Sequence, residues 1–374
     1  MKSIKEIAEI LSMDLSQREL GNPYFNDSDY RSCPLNKEYF HEINSAETDR
    51  KIAFVDGGNQ ELLPSPVYSV QLNRVYFSIF KNNKRVPIIS GIPQRVEFLS
   101  YTYSQLKGHD INFETKIRPV KDKFSQYLPD ERDLQATAHE EKVEAGTQAG
   151  MERMASMARR FAEWKITGHV IESELEPGDI IVRDGSLQTG HQREYKYEED
   201  VFRKAMDHDV IITGLSKTCR LATDTRVSLI DSIQRLADDA EIKYDKWCYY
   251  PVAWSKDTNR EHKAVIMVVK LNKHAHTAFR FEIFKEQAEN MSDKEICELV
   301  SCIADNSKDI KVPGYPYGLI DADLWARVKN EEMEGYKAKL YSELAKTGAW
   351  PRVNPLIKIV NTHEELDGQH IRRI

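Results

Sequence analysis

Two short apolar runs each end in Asp-Gly: Phe54-Val55-Asp56-Gly57 and Ile181-Val182-Arg183-Asp184-Gly185. If these strands lie side by side, Asp56 and Asp184 project from one edge of one sheet. Carboxylate oxygens are hard ligands suited to Mn²⁺ or Mg²⁺. Ions held there activate a water and stabilise the leaving oxygen in phosphodiester hydrolysis. An Asp-Gly pair is most often a turn and nothing more; its repetition after two apolar strands is what raises the chemical reading. Glu163, within Arg159-Arg160-Phe161-Ala162-Glu163-Trp164, lies on a helical pattern before the second strand. A helix packed across the sheet aims that carboxylate at the same edge, although alone it reads as a salt-bridged surface residue. Asp321 and Asp323 follow Gly314-Tyr315-Pro316-Tyr317-Gly318, in a first helical turn where the helix dipole by itself favours acids. Lys217 follows the apolar run Val210-Ile-Ile-Thr-Gly214, in a loop from which it can reach a phosphate. The sequence contains no HExxH, CxxC or P-loop, so the chain carries no nucleotide-hydrolysis motor of its own.

These residues need a sheet to hold them. Lys51 to Gly58 reads as a strand, Val67 to Lys81 as a longer one, and Arg85 to Ser90 as its return strand. Shorter strands are predicted near 95–103 and 113–120. From about Asp133 to Ser173 the spacing of Met154, Met157, Ala158, Phe161, Ala162 and Trp164 predicts a helix, with a mobile insertion over Glu140 to Gly150. Helices at 195–207 and 226–239 follow, then strands at 248–254, 263–271 and 278–284. Ser292 and Glu295 form a capping box for a helix to about Asn306, and one last long helix is predicted from Leu319 to Lys346. The fold class is α/β: a mixed sheet opening with an antiparallel meander and flanked by helices, partly parallel after residue 150. Residues 1–50 form an N-terminal extension beginning with an amphipathic helix, a candidate dimer contact. Residues 51–346 form the main domain and 347–374 a tail with one apolar run, Leu356 to Val360.

The 374 residues carry 53 Lys+Arg against 60 Asp+Glu, a formal charge of −7, with 40% hydrophobic and 30% charged residues. That composition excludes a disordered or collagen-like chain. No apolar run is long enough to span a membrane, and the first residues lack a signal-peptide core, so a cytoplasmic location is expected. Five cysteines, an odd number without CxxC spacing, point to reduced thiols rather than disulfides or a zinc ribbon. Net acidity does not exclude a nucleic-acid enzyme, because the placement of charge decides. Arg159, Arg160, Lys165, Lys217 and Arg220 are the candidates for a basic cleft.

Taken in order, these blocks resemble the NurA nuclease family. Phe54-Val55-Asp56-Gly57-Gly58 comes first, then the Arg159 to Glu163 helix and Ile181 to Leu187. Gly214-Leu-Ser-Lys217-Thr, Phe279-Arg280-Phe-Glu282 and Gly314-Tyr315-Pro316 to Asp323 complete the series, covering roughly residues 50–330. The resemblance implies a ribonuclease H-like fold and a Mn²⁺-dependent nuclease site, with Mg²⁺ as the alternative ion. It implies degradation of DNA from the 5′ end, cutting of single strands, a homodimer, and work with the hexameric ATPase HerA in DNA end resection and double-strand break repair. Carried over by residue, Asp56, Glu163 and Asp184 are the metal ligands, with Glu163 alternatively orienting the water. Asp323 completes a second ion or positions the water, Lys217 neutralises phosphate charge, and Tyr315 stacks on a base or bonds a phosphate. Gly58 stands where many members have Ser, and 105–150 aligns poorly. Three alternatives stay open: a nuclease for RNA or branched DNA, a structural partner of an ATPase ring with a weak site, and a nuclease subunit of an anti-phage defence system.

Overall fold

Apolar alternation from Lys51 onward builds the first long strand, β1 (Lys51–Pro64). The computed structural model describes residues 2–17, 19–25, 28–44, 49–139 and 148–355. β1 turns back into β2 (Tyr68–Lys81), and β2 pairs with β3 (Arg95–Lys107), so the opening meander is antiparallel as expected. β4 (Asp110–Pro119) continues it, which makes 105–119 part of the sheet. The expected return strand at 85–90 shrinks to Lys84–Arg85.

The long helix α2 (Gln148–Glu174) then crosses to β5 (Ile180–Asp184), which lies parallel to β1. β6 (Ile211–Ser216) is parallel to β5, and the helix α3 (Tyr195–Asp207) connects them. The order β3-β2-β1-β5-β6, antiparallel in its first half and parallel in its second, is the ribonuclease H-like arrangement. β7 (Trp247–Ser255), β8 (Ala264–Lys270) and β9 (Phe279–Phe284) extend it antiparallel beyond β6, within a sheet that has 13 strands among the described residues.

The two faces of the sheet separate by strand alternation. Ala53, Val55 and Ile181 join α2's Met154, Met157, Phe161 and Trp164 in one core. Ile52, Phe54, Ile180 and Val182 join a second core with helices α4 (Asp293–Asp305) and α5 (Tyr317–Ala326) on the opposite face. This split decides which side chains can meet at the site.

Two predicted helices need correction. α2 starts at Gln148, not near 133, because Leu134, Ala136 and Ala138 are buried with a period of two, and Gln135–Thr137 adds a short strand beside β4. Of the insertion expected over 140–150, residues 140–147 lie outside the described residues and 148–150 already belong to α2; the Leu356 to Val360 run also lies outside them. The single helix expected over 319–346 is two, α5 and α6 (Asn330–Lys346), with Arg327 extended at φ −64° and ψ 131°. Buried Arg74 explains the break. Its guanidinium pairs with Glu97 at 2.6 Å and Glu332 at 3.1 Å, and it takes the Arg327 carbonyl at 2.7 Å. A continuous helix would keep that carbonyl for itself. The N-terminal helix, α1 (Lys2–Gln17), forms as expected. Among the described residues no helix is long and apolar enough to cross a membrane, and the five cysteines are free thiols.

Glu198 on α3 is fully buried, and Lys263 reaches it at 3.4 Å. Desolvation pushes its carboxyl up to about 8, against the pull of Lys263. The folded state therefore binds this proton more tightly than the unfolded chain, and stability falls as pH rises from the usual carboxylate range through about 8. Glu198→Gln removes that loss. Its advantage in unfolding free energy over the parent should grow by a few kcal/mol between pH 5 and 9 in paired denaturant titrations. A gap that stays constant with pH would mean the buried carboxyl does not titrate in this range.

Candidate metal centre

Asp56 does not end its strand. β1 stays paired with β2 through Asp56↔Tyr76, Gly57↔Val75 and Gly58↔Arg74. On its other side, however, pairing with β5 stops at Val55↔Arg183. The sheet therefore steps at this point, and Asp56 and Asp184 lie side by side at the step. Both follow the even-numbered alternation of Ile52, Phe54, Ile180 and Val182, so both face the α5 side. α5 supplies Asp323. One oxygen from each of Asp56, Asp184 and Asp323 falls within 4.8 Å of the others, among carboxylates that are neither fully buried nor fully exposed.

Lys217, one residue past β6, sits among these acids. Its Nζ is 2.5 Å from Asp184 Oδ2, 2.9 Å from Asp323 Oδ1 and 3.8 Å from Asp56 Oδ2. Burial alone would lower its pKa, but the charge of Asp184 and the hydrogen bonds to Asp184 and Asp323 raise it. The Tyr315 hydroxyl donates to Asp184 Oδ1 at 3.2 Å, and its ring is buried. Burial, together with the charges of Asp184 and Asp56, pushes that phenol far above its ordinary value, so it stays a donor. Burial and the like charges of Asp184 and Glu163 push Asp56 well above the usual carboxylate range. Asp323 goes the other way: burial opposes ionisation, but Lys217 and Arg327 hold it below its usual range.

Glu163 lies on the other face. It comes from α2, where Arg183, the odd-numbered neighbour of Asp184, also points. Its oxygens are taken by Arg159 and by Arg183 Nη2 at 3.2 Å, and Arg159 also bonds the Gly57 carbonyl at 3.1 Å. Arg183 in turn stacks on Trp164, 3.5 Å from the ring centroid. A Cβ at residue 57 would collide with Glu163 Oε1, so the glycine is the opening through which this carboxylate reaches the back of the Asp56 segment. A side chain at Gly58 would meet the Ala326 carbonyl at 2.5 Å, so Ser at this position would require the end of α5 to move.

The expected basic residues are mostly committed elsewhere. Arg160 pairs with buried Glu194 at 3.0 Å, and Lys165 donates to the Leu128 carbonyl at 2.6 Å. Sequence reasoning also missed a buried network behind the Asp184 turn. Glu282 accepts from Leu187 N–H at 2.7 Å and Ser186 Oγ at 3.1 Å, pairs with Arg280, and bonds His262 Nε2 at 3.0 Å. The Tyr30 hydroxyl bonds the other His262 nitrogen at 2.8 Å. The pairing of Arg280 with Glu282 was legible, because their i, i+2 spacing puts both on one strand face, while Tyr30 and His262 carried no local signal.

On a ribonuclease H-like sheet, three aspartates converge where the pairing of β1 with β5 stops, and the family match of this chain makes it a nuclease, hence a hydrolase. The NurA domain profile matches residues 50–328, and the chain belongs to the NurA family. No curated protein sequence matches it. Among solved structures it is similar to Ciona intestinalis endonuclease V in complex with a 24mer DNA containing an inosine followed by a ribo-adenosine. That match has 9% identity, a TM-score of 0.34, and coverage of 89% of this chain and 99% of the other. It is also similar to Aquifex aeolicus Argonaute, at 9% identity and TM-score 0.27, covering 75% of this chain but only 28% of that one.

Proposed function

We propose that the chain is a metal-dependent DNA nuclease. The observation that carries this reading is the convergence of Asp56, Asp184 and Asp323, three carboxylates from three elements, around the Lys217 ammonium. Hard oxygen donors, an acid held up by burial and by like charge, and a lysine drawn in among them form a site whose charge suits a divalent cation. Asp56, Asp184 and Asp323 would hold it. When bound, such an ion, Mn²⁺ or Mg²⁺, lowers the pKa of water and neutralises charge on the leaving oxygen.

The protein's own groups do the rest. Lys217 has a flexible stem and moves its ammonium from the carboxylates toward a scissile phosphate, where it offsets developing charge. Tyr315 fixes the Asp184 carboxylate by its hydrogen bond. Glu163, held by two arginines behind Gly57, acts as an orienting group for the Asp56 strand rather than through free oxygens. In this reading the enzyme degrades DNA from the 5′ end and cuts single strands. It works with a HerA-type hexameric ATPase in end resection, as a homodimer. The exposed Ile4, Ile7, Ile10 and Leu11 on the N-terminal helix are the apolar surface available for that contact.

The test is incubation of the isolated chain with 5′- or 3′-labelled linear DNA and matched RNA, in Mn²⁺, Mg²⁺ or EDTA. Mn²⁺ should support cleavage of the DNA, and EDTA should abolish it. Cleavage that persists in EDTA, or is confined to RNA, would overturn the assignment.

A further inference from the structure

Two thiols touch on the sheet face that α4 covers. Cys248 lies on β7, where pairing with Val269 of β8 and with His41 of the short strand Phe40–Glu42 fixes its backbone. Cys297 lies on α4, and its Sγ is 3.8 Å from that of Cys248. Cys248 is fully buried. Cys297 is half-buried and lines an open cleft of about 550 Å³ together with His41, Asp293, Lys294 and Glu298. Cysteines in a core are ordinarily inert, apolar side chains. A pair in contact, with one member reachable from solvent, is a different arrangement.

Metal binding and disulfide formation are the two uses of such a pair. A metal needs further ligands, and among the described residues no third His, Cys, Asp or Glu side chain converges with the two sulfurs. A disulfide needs only two sulfurs able to approach, and these are already in van der Waals contact. The local electrostatics favour reaction at Cys297, because the thiolate is the nucleophile. The hydrogen bond from the Cys248 S–H holds the Cys297 thiol below its ordinary value, against burial and the charges of Asp293 and Glu298. The same hydrogen bond, together with burial, pushes Cys248 well up, so Cys248 keeps its proton until Cys297 has reacted. Burial leaves Cys33 and Cys219 raised.

We propose that Cys297 and Cys248 form a site of reversible oxidation by peroxide, in which Cys297 reacts first and Cys248 resolves it into a disulfide. The Cys297 thiolate attacks one peroxide oxygen. An S–O bond forms, the O–O bond breaks, and the hydroxide released takes a proton from solvent. Sulfur is thereby oxidised and peroxide reduced by two electrons, giving a sulfenic acid and water. The Cys248 sulfur then attacks the Cys297 sulfur. The S–S bond forms, the S–O bond breaks, and the departing hydroxide leaves as water with the Cys248 proton. The bond spares Cys297 the irreversible step to sulfinic acid, and a thiol reductant returns both groups. It also ties α4 to β7. At its far end α4 runs into Asn306, whose side-chain oxygen accepts from Gly318 N–H at 2.8 Å and seats the first turn of α5. Oxidation therefore braces the layer that carries Asp323. None of this depends on the nuclease reading.

The experiment exposes the reduced full chain to a small molar excess of hydrogen peroxide in EDTA, so that no bound metal drives the oxidation. Intact mass and non-reducing peptide mapping are then read. The parent should lose two hydrogen atoms, in a peptide pair joining Cys248 to Cys297, and regain them with dithiothreitol. Cys297→Ser should lose none. Cys248→Ser should stop at the sulfenic acid, trapped on Cys297 by dimedone; should that buried variant not fold, the parent's peptide map decides alone. Iodoacetamide should alkylate Cys297 about tenfold faster than Cys33 or Cys219. The oxidised parent should melt above the reduced one, with no such gap in Cys297→Ser. Three results would overturn the site: sulfinic acid at Cys297 of the parent without a disulfide, a disulfide through any other cysteine, or Cys33 or Cys219 reacting first. An oxidised chain that melts no higher than the reduced one would overturn the brace.

Discussion

Asp56→Asn and Asp184→Asn should each lower Mn²⁺-dependent DNA cleavage by roughly 10³-fold, and Asp56→Asn should do so with no loss of folding stability. The two halves of this prediction have one cause. Asp56 is pushed up by burial and by its neighbours Asp184 and Glu163, so its charge is a cost to the folded protein. Asparagine keeps the shape and the oxygen that accepts from Gly57 N–H at 2.7 Å, and removes the repulsion. The melting temperature of Asp56→Asn should therefore equal or exceed that of the parent. Asp184→Asn keeps an oxygen for Tyr315 and loses its attraction to Lys217, which retains Asp323 at 2.9 Å. An inactive variant more stable than its parent is the mark of groups placed for chemistry at the expense of the fold. End-labelled single strands in Mn²⁺ give the rate, and denaturant titration gives the stability. Cleavage by either variant within about tenfold of the parent removes these carboxylates from the reaction.

The Asp56–Asp184 pair was legible because both properties it needs are local. An apolar run predicts a strand, and a shared strand parity then sends both acids to one face. Glu163 shows the limit of that reasoning. Its helix was found by periodicity, but which face the helix covers depends on the sheet, and α2 covers the odd-numbered side. The carboxylate thus meets Arg183 and the space above Gly57, and a third acid arrives from α5 instead. From its own surroundings in the sequence Asp323 carried only the ordinary signal of an acid in an early helical turn, and the family resemblance alone gave it a place at the site; that place comes from α5 packing over Phe54, a contact between segments far apart in sequence. The division of the last helix was hidden for the same reason, since Arg74 breaks it from another strand. Basic residues near the motifs looked available for DNA, yet Arg159 and Arg160 are neutralised by acids one turn along or across the loop.

Glu282→Gln should be the most destabilising conservative change at the site's periphery. The Glu282 carboxylate is fully buried, yet ionised and held down to about 2. Burial alone would raise it; the charges of Arg280 and His262 and the hydrogen bonds from His262 and Leu187 outweigh that. A folded-state value below the unfolded one means this stabilisation is present above the usual carboxylate range and is lost as pH falls through about 2. The size of the shift corresponds to about 3 kcal/mol, in line with breaking a buried pair from one side. Glutamine keeps the volume but leaves Arg280 buried without its counter-charge, and it places a donor among groups that need an acceptor. The gap in unfolding free energy between parent and variant should thus be about 3 kcal/mol near neutral pH and should close toward pH 2. Because Ser186 and Leu187 N–H lean on Glu282, the turn that carries Asp184 loosens with it, and cleavage should fall by about tenfold under conditions where the variant is still folded. A gap independent of pH would show that Glu282 contributes shape alone, and an unimpaired rate would show that the Asp184 turn is held by its own backbone.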